Sequence, residues 1–69
     1  MKVTYDTEVD VLRIRFTDAP IAESDELREG VIVDFDEDGN IVGLELLDAR
    51  DKVADTQRLE FSITQQPAA

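Results

Sequence analysis

A chain of 69 residues is long enough for one domain, and at that size folding hides only about 60 % of the surface that the unfolded chain exposes, so the core is thin. It holds no cysteine and no histidine, which excludes disulfides and zinc sites built from those residues and leaves oxygen-ligated cations as the metals it could take. With 17 acidic against 7 basic residues and a formal charge of −10, its surface repels phosphate backbones and anionic lipid, which argues against nucleic-acid and membrane partners and for solubility, cation binding or docking on a basic protein.

Apolar residues alternate with a period of two along most of the chain, the pattern of half-buried strands. "KVTYD" sets Val3 and Tyr5 on one side, and "DVLRIRF" sets Leu12, Ile14 and Phe16 opposite Val11, Arg13 and Arg15. The polar "DTEVD" between them reads as a hairpin connection. "TDAP" breaks the run, because Pro20 lacks an amide hydrogen and biases Ala19 away from helix. "IAESDELREG" reads either as a short charged edge strand, its charges discouraging pairing with another chain, or as one irregular turn ending at Gly30; the edge strand is preferred. "VIVDF" and "NIVGLELL", rich in β-branched residues, are the strongest strands. After Leu47 the pattern changes. "DARDKVAD" predicts a helix of about two turns, capped by Asp48, with Val53 and Ala54 as its small apolar face. "RLEFSIT" alternates Leu59, Phe61 and Ile63 against Arg58, Glu60 and Ser62 and predicts a last strand, before a frayed tail over residues 65–69.

The segment "DFDEDGNIVGLE" between the two strongest strands matches the calcium-loop pattern D-x-[DN]-x-[DN]-G-x5-E at every specified position. In a calcium-binding helix-loop-helix, Asp34, Asp36, Asp38, the carbonyl of Asn40 and Glu45 would be ligands, with Gly39 at the sharp turn. The flanks argue for a hairpin instead. Gly30 costs a helix about 1 kcal/mol relative to Ala, and the β-branched run after it loses rotamer freedom there. If Asp38 and Gly39 form a two-residue turn, Phe35 faces Val42, Val33 faces Leu44 and Val31 faces Leu46, gathering six apolar residues on one face. The other face then carries Ile32, Asp34, Asp36, Ile41, Gly43 and Glu45. The competing register, a type I turn with Gly39 as a bulge, pairs Val33 with Gly43 and Phe35 with Ile41 and scatters the apolar set, so the first register is preferred. A weak cation site on the outer face remains the alternative use of Asp34, Asp36, Asp38 and Glu45, although Asp34 and Asp36 lie roughly 7 Å apart along a strand, too open for tight chelation.

No constellation elsewhere carries chemistry. Arg13 and Arg15, two apart on one strand, answer the acidic surface around them through cross-strand pairs. Ser24 and Ser62 have no histidine to activate them, and Lys2 and Lys52 sit among acids that keep them protonated. Tyr5 reads as a core residue with its hydroxyl at the rim. There is no Gly-rich phosphate loop, and so short a chain has little room for a pocket that would retune a carboxyl for acid/base work. The expectation is a protein without enzymatic activity and without a cofactor. A run of roughly 18 apolar residues, as a membrane span requires, is absent, and the amino terminus lacks the apolar stretch of a signal peptide, so the expected location is cytoplasmic.

"YDTEVDVLRIRF" followed by "GVIVDFDEDGNIVGLELLDAR" resembles the short prokaryotic proteins of domain of unknown function family 2283. Tyr5, Asp6, Glu8 and Asp10 match its YD-x-E-x-D hairpin, and Gly30, Asp34, Asp38, Gly39, Gly43, Glu45, Asp48 and Ala49 match its second, glycine- and aspartate-rich block. The resemblance covers residues 1 to about 50; "DKVADTQRLEFSITQQPAA" departs from it. It implies a small antiparallel sheet with a short helix and no established activity. Some members are encoded beside small toxin-like proteins, which implies an antitoxin-like or partner role.

The sequence thus predicts a single α+β domain over residues 1–64, a mostly antiparallel sheet of about four to six strands with one short helix after Leu47. Val3, Tyr5, Leu12, Ile14, Phe16, Val31, Val33, Phe35, Val42, Leu44 and Leu46 face its core. So thin a core predicts a homodimer, burying Ile32 and Ile41 or the last strand. The expected function is that of a protein-interaction module for a basic partner, using an acidic surface around Asp34, Asp36 and Glu45.

Overall fold

The structure is a computed structural model and describes residues 1–65. Five strands form one antiparallel sheet: β1 (Lys2–Asp6), β2 (Val11–Arg15), β3 (Glu23–Arg28), β4 (Val31–Phe35) and β5 (Ile41–Leu47). Their order is β1-β2-β5-β4-β3, so the two hairpins with the strongest apolar alternation meet along β2 and β5, and β1 and β3 are the edges. The segment "ESDELR" is a strand, as its place at an edge allows: all six residues are exposed.

Register sorts the side chains into two faces, because residues directly opposite in an antiparallel pair share a side. On one face two apolar rows cross four strands, Tyr5–Leu12–Leu46–Val31 and Val3–Ile14–Leu44–Val33. On the other run two polar rows, Thr4–Arg13–Glu45–Ile32–Glu26 and Lys2–Arg15–Gly43–Asp34–Ser24. Among the described residues, no helix covers the apolar rows. Most of these side chains are half-buried, and full burial of apolar residues is confined to Val33, Val42 and Ala49 among the described residues.

The β4–β5 hairpin combines both registers that the sequence allows. The Gly39 amide donates to the Asp36 carbonyl at 3.1 Å and the Asp36 amide to the Asn40 carbonyl at 3.0 Å, closing a loop of Glu37, Asp38 and Gly39 with Gly39 at φ +83°. That is the turn with a glycine bulge, not the two-residue Asp38-Gly39 turn preferred from sequence. It pairs Phe35 with Ile41, yet Asp34 pairs with Gly43, Val33 with Leu44 and Val31 with Leu46. Val42 is the extra residue in β5, and this second bulge restores the preferred register beyond it. Val42 itself is only 1 % exposed.

Two expectations fail beyond Leu47. The two-turn helix is a single 3₁₀ turn, Ala49–Asp51, and Asp48 makes no side-chain capping bond because it sits in the left-handed region, φ 50°, ψ 50°. The segment predicted as a last strand carries no strand over residues 58–65. Its Leu59, Phe61 and Ile63 are 65 %, 68 % and 75 % exposed. Alternation alone did not give it a partner edge to bond. Described as a whole, the protein is a mostly β domain rather than an α+β one; residues 66–69 of the expected tail lie outside the described residues.

Candidate functional site

The acidic side chains singled out in the sequence are almost all engaged within the fold. Asp36 organises the hairpin tip: its Oδ1 accepts the amides of Asp38 and Asn40, both at 2.9 Å, and its Oδ2 accepts the Asn40 side-chain amide at 3.1 Å. The Asn40 amide, then its side chain, hold the Asp36 carboxyl below its ordinary value. Both oxygens of Asp36 are thus engaged in the turn. Strands flank the loop on both sides in place of helices, and among the described residues no three acids gather to hold a metal ion.

Asp34 lies on the polar face but is only 2 % exposed, so the outer surface proposed around Asp34, Asp36 and Glu45 loses one of its members. Ser24 Oγ donates to its Oδ1 at 2.5 Å. Its cross-strand partner is Gly43, and a Cβ there would stand 3.1 Å from Asp34 Oδ2 and 3.2 Å from the Ile14 carbonyl. The missing side chain is the space in which the Asp34 carboxyl sits. Glu45, half-buried, faces Arg13 directly and is paired with its Nε at 2.7 Å. The exposed arginine limits that pair to about 0.2–1 kcal/mol. Arg15 Nη2 donates to the Ala19 carbonyl at 2.7 Å and fastens the chain leaving β2. The arginines are structural in this sense.

A clasp that the sequence did not announce joins the β1–β2 loop to the chain leaving β5. Asp10 closes the β1–β2 loop at φ 57°. Tyr5 donates its hydroxyl to Asp10 Oδ1 at 2.7 Å, the Arg50 amide donates to the same oxygen at 3.1 Å, and Arg50 Nε lies 3.4 Å from Oδ2. The Ala49 amide bonds the Asp10 carbonyl at 3.0 Å. The Tyr5 bond, with the Arg50 contacts, holds the Asp10 carboxyl below its ordinary value against the opposing effect of burial. Two aspartates in left-handed conformation, Asp10 and Asp48, thus bracket the fully buried Ala49. Aspartate at a loop end tolerates that conformation, and this is the signal by which both positions could have been suspected.

The remaining feature is the apolar face. Residues Val53–Leu59 pass over its β1–β2 side and leave a cleft of about 480 Å³ floored by Tyr5, Leu12 and Ile14. Beside it Leu59 and Phe61 border a second hollow of about 350 Å³ above Val3, Ile14 and Phe16. No helix among the described residues is long and apolar enough to cross a membrane. No curated protein and no solved structure matches the chain. The family model described as "Protein of unknown function (DUF2283)" matches residues 2–50, which contain all five strands and the Asp10–Arg50 clasp. On that match, the chain belongs to the DUF2283 family.

Proposed function

We propose that this domain is a non-enzymatic protein-binding module whose apolar sheet face receives a basic, amphipathic partner. One observation carries the reading: two apolar rows span four strands, and among the described residues only the irregular segment Val53–Leu59 lies over part of them. Folded domains cover such a face, against a helix, another sheet or another protein. The chain exposes 5740 Å², whereas a compact monomer of 7.8 kDa exposes about 4,400 Å². Leu59, Phe61 and Ile63, all exposed, contribute to that excess alongside the half-buried apolar rows. Glu23 and Asp25 face Phe35 and Val33 at the β3 end of the apolar side. With a net charge of −10 they favour a partner whose apolar stripe is flanked by Lys or Arg, and complementarity of this kind speeds encounter as well as selecting the partner. The absence of catalysis belongs to the same reading, since the carboxyls of Asp10, Asp34 and Asp36 are committed to bonds that shape the fold.

The test is a titration of the domain with a basic amphipathic helical peptide, with an acidic peptide of the same apolar pattern as control, followed by methyl NMR. The expected result is saturable binding that weakens as salt is raised, with the Ile14 and Leu44 methyls shifting. Shifts confined to the polar face, around Arg13 and Glu45, would overturn the assignment.

A further inference from the structure

We infer that the β1 edge is a self-complementary surface at which two copies of this chain pair, antiparallel about a two-fold axis at Thr4, into a ten-stranded sheet. The two edges of the sheet are built differently. β3 carries Glu23, Asp25, Glu26 and Arg28 and a bulge between Glu26 and Arg28, the features that blunt an edge against pairing. β1 has a regular register throughout and a centre of Val3, Thr4 and Tyr5, residues of high strand preference.

The hydrogen-bond phase follows from one contact. The Phe16 amide bonds the Val42 carbonyl at 2.9 Å, so even-numbered residues of this strand address β5 and odd-numbered ones address β1. Their partners Lys2, Thr4 and Asp6 are therefore bonded within the sheet, while the amides and carbonyls of Val3 and Tyr5 point outward from the edge. When Thr4 meets its copy on the axis, Val3 of each chain faces Tyr5 of the other. Those two pairs use the outward groups and give four backbone hydrogen bonds.

The same alignment sets Lys2 against Asp6 of the partner copy, twice. Within the chain Lys2 stands directly opposite Arg15, an unfavourable like-charge neighbour that an acid on its other side offsets. Asp6 accepts the amides of Glu8 and Val9 through Oδ1, which fixes it at the strand end. In-plane pairing keeps corresponding faces together, so the rows ending at Val3 and Tyr5 continue into those of the second copy. The inference is independent of the partner proposed for the apolar face, because it occupies an edge and leaves both faces open.

Sedimentation equilibrium on the full chain tests it. The expected result is a dimer in the micromolar range. Lys2→Glu sets two acids together at each contact and Asp6→Lys sets two bases together, so each variant alone dimerises about tenfold more weakly. An equimolar mixture of the two variants restores both opposite-charge contacts and recovers dimer at wild-type strength. Because Asp6 shapes its loop, a third variant, Val3→Pro, removes an outward amide without touching the β1–β2 bonds; it is expected to be a folded monomer. A wild-type chain that remains monomeric into the sub-millimolar range overturns the inference. So does a dimer unchanged in all three variants, or a mixture that recovers nothing.

Discussion

Asp34 is an acid with 2 % of its surface exposed, and what admits it is an absence on the neighbouring strand. Gly43→Ala places a methyl 3.1 Å from Asp34 Oδ2 and 3.2 Å from the Ile14 backbone, and the backbone cannot move aside without disturbing β2. The variant is expected to lose about 1–3 kcal/mol, read as a lower urea midpoint at unchanged slope. Asp10 and Asp36 carry a different signature. Both carboxyls are held below the ordinary value of 3.8, so the stability they contribute is fully present above that value and disappears as pH falls through their lower folded values. Urea midpoints measured downward from pH 5 should fall most steeply below about pH 4. Asp10→Asn, which has no proton to take up, should flatten part of that fall; an identical acid limb would show that the clasp does not contribute. The sequence marks Asp10 as a member of the YD-x-E-x-D block but not as a clasp, because its partners, Tyr5 and Arg50, are on other elements.

Among the elements, β1 was legible because alternation reports which side of a chain is wet, half-buried Val3 and Tyr5 against exposed Lys2, Thr4 and Asp6, whereas β4 and β5 were marked by their β-branched residues. The hairpin tip was less so. Two bulges, at Gly39 and at Val42, cancel in register, and a pattern with a period of two cannot show an irregularity that is undone three residues later. Gly39→Ala forces a side chain into φ +83° with nothing within 4 Å to obstruct it, so its cost is backbone strain alone, about 1–2 kcal/mol. The residues of the calcium-loop pattern are engaged within the hairpin: its first aspartate is buried against Ser24, its second bonds the turn and its glutamate is paired with Arg13. Millimolar calcium should leave the backbone NMR shifts of residues 34–45 in place. The predicted helix shrinks to one 3₁₀ turn, which Asp48 enters from the left-handed region without a side-chain cap and which ends at Lys52. The predicted last strand pairs with neither edge of the sheet, and which edge a segment meets is a property of the assembled sheet that no local pattern reports.

At the scale of the whole molecule, the radius of gyration is 14.2 Å, against about 11 Å for a compact domain of this length. One layer of sheet cannot close on itself, so its apolar rows remain half-open, with residues Val53–Leu59 as a partial roof. Ending the chain after Val53 should leave a well-dispersed sheet spectrum while increasing the binding of an apolar dye; collapse of the spectrum would mean that the roof is part of the core. The assignment of apolar positions to one face was readable from sequence, since it needed only register. The missing second layer was not, because composition sets how much apolar surface exists and says nothing of what covers it.

The Asp10 clasp has a kinetic corollary. Ala49 and Arg50 both anchor their amides on a residue some forty positions upstream, so that closure must wait for the ribbon between to assemble. In deuterated solvent those two amides should exchange in concert, earlier than the protons bridging β4 and β5, and any change that frees Asp10 should quicken both equally. Such a latch makes the far end of the chain a gauge of the first loop's integrity.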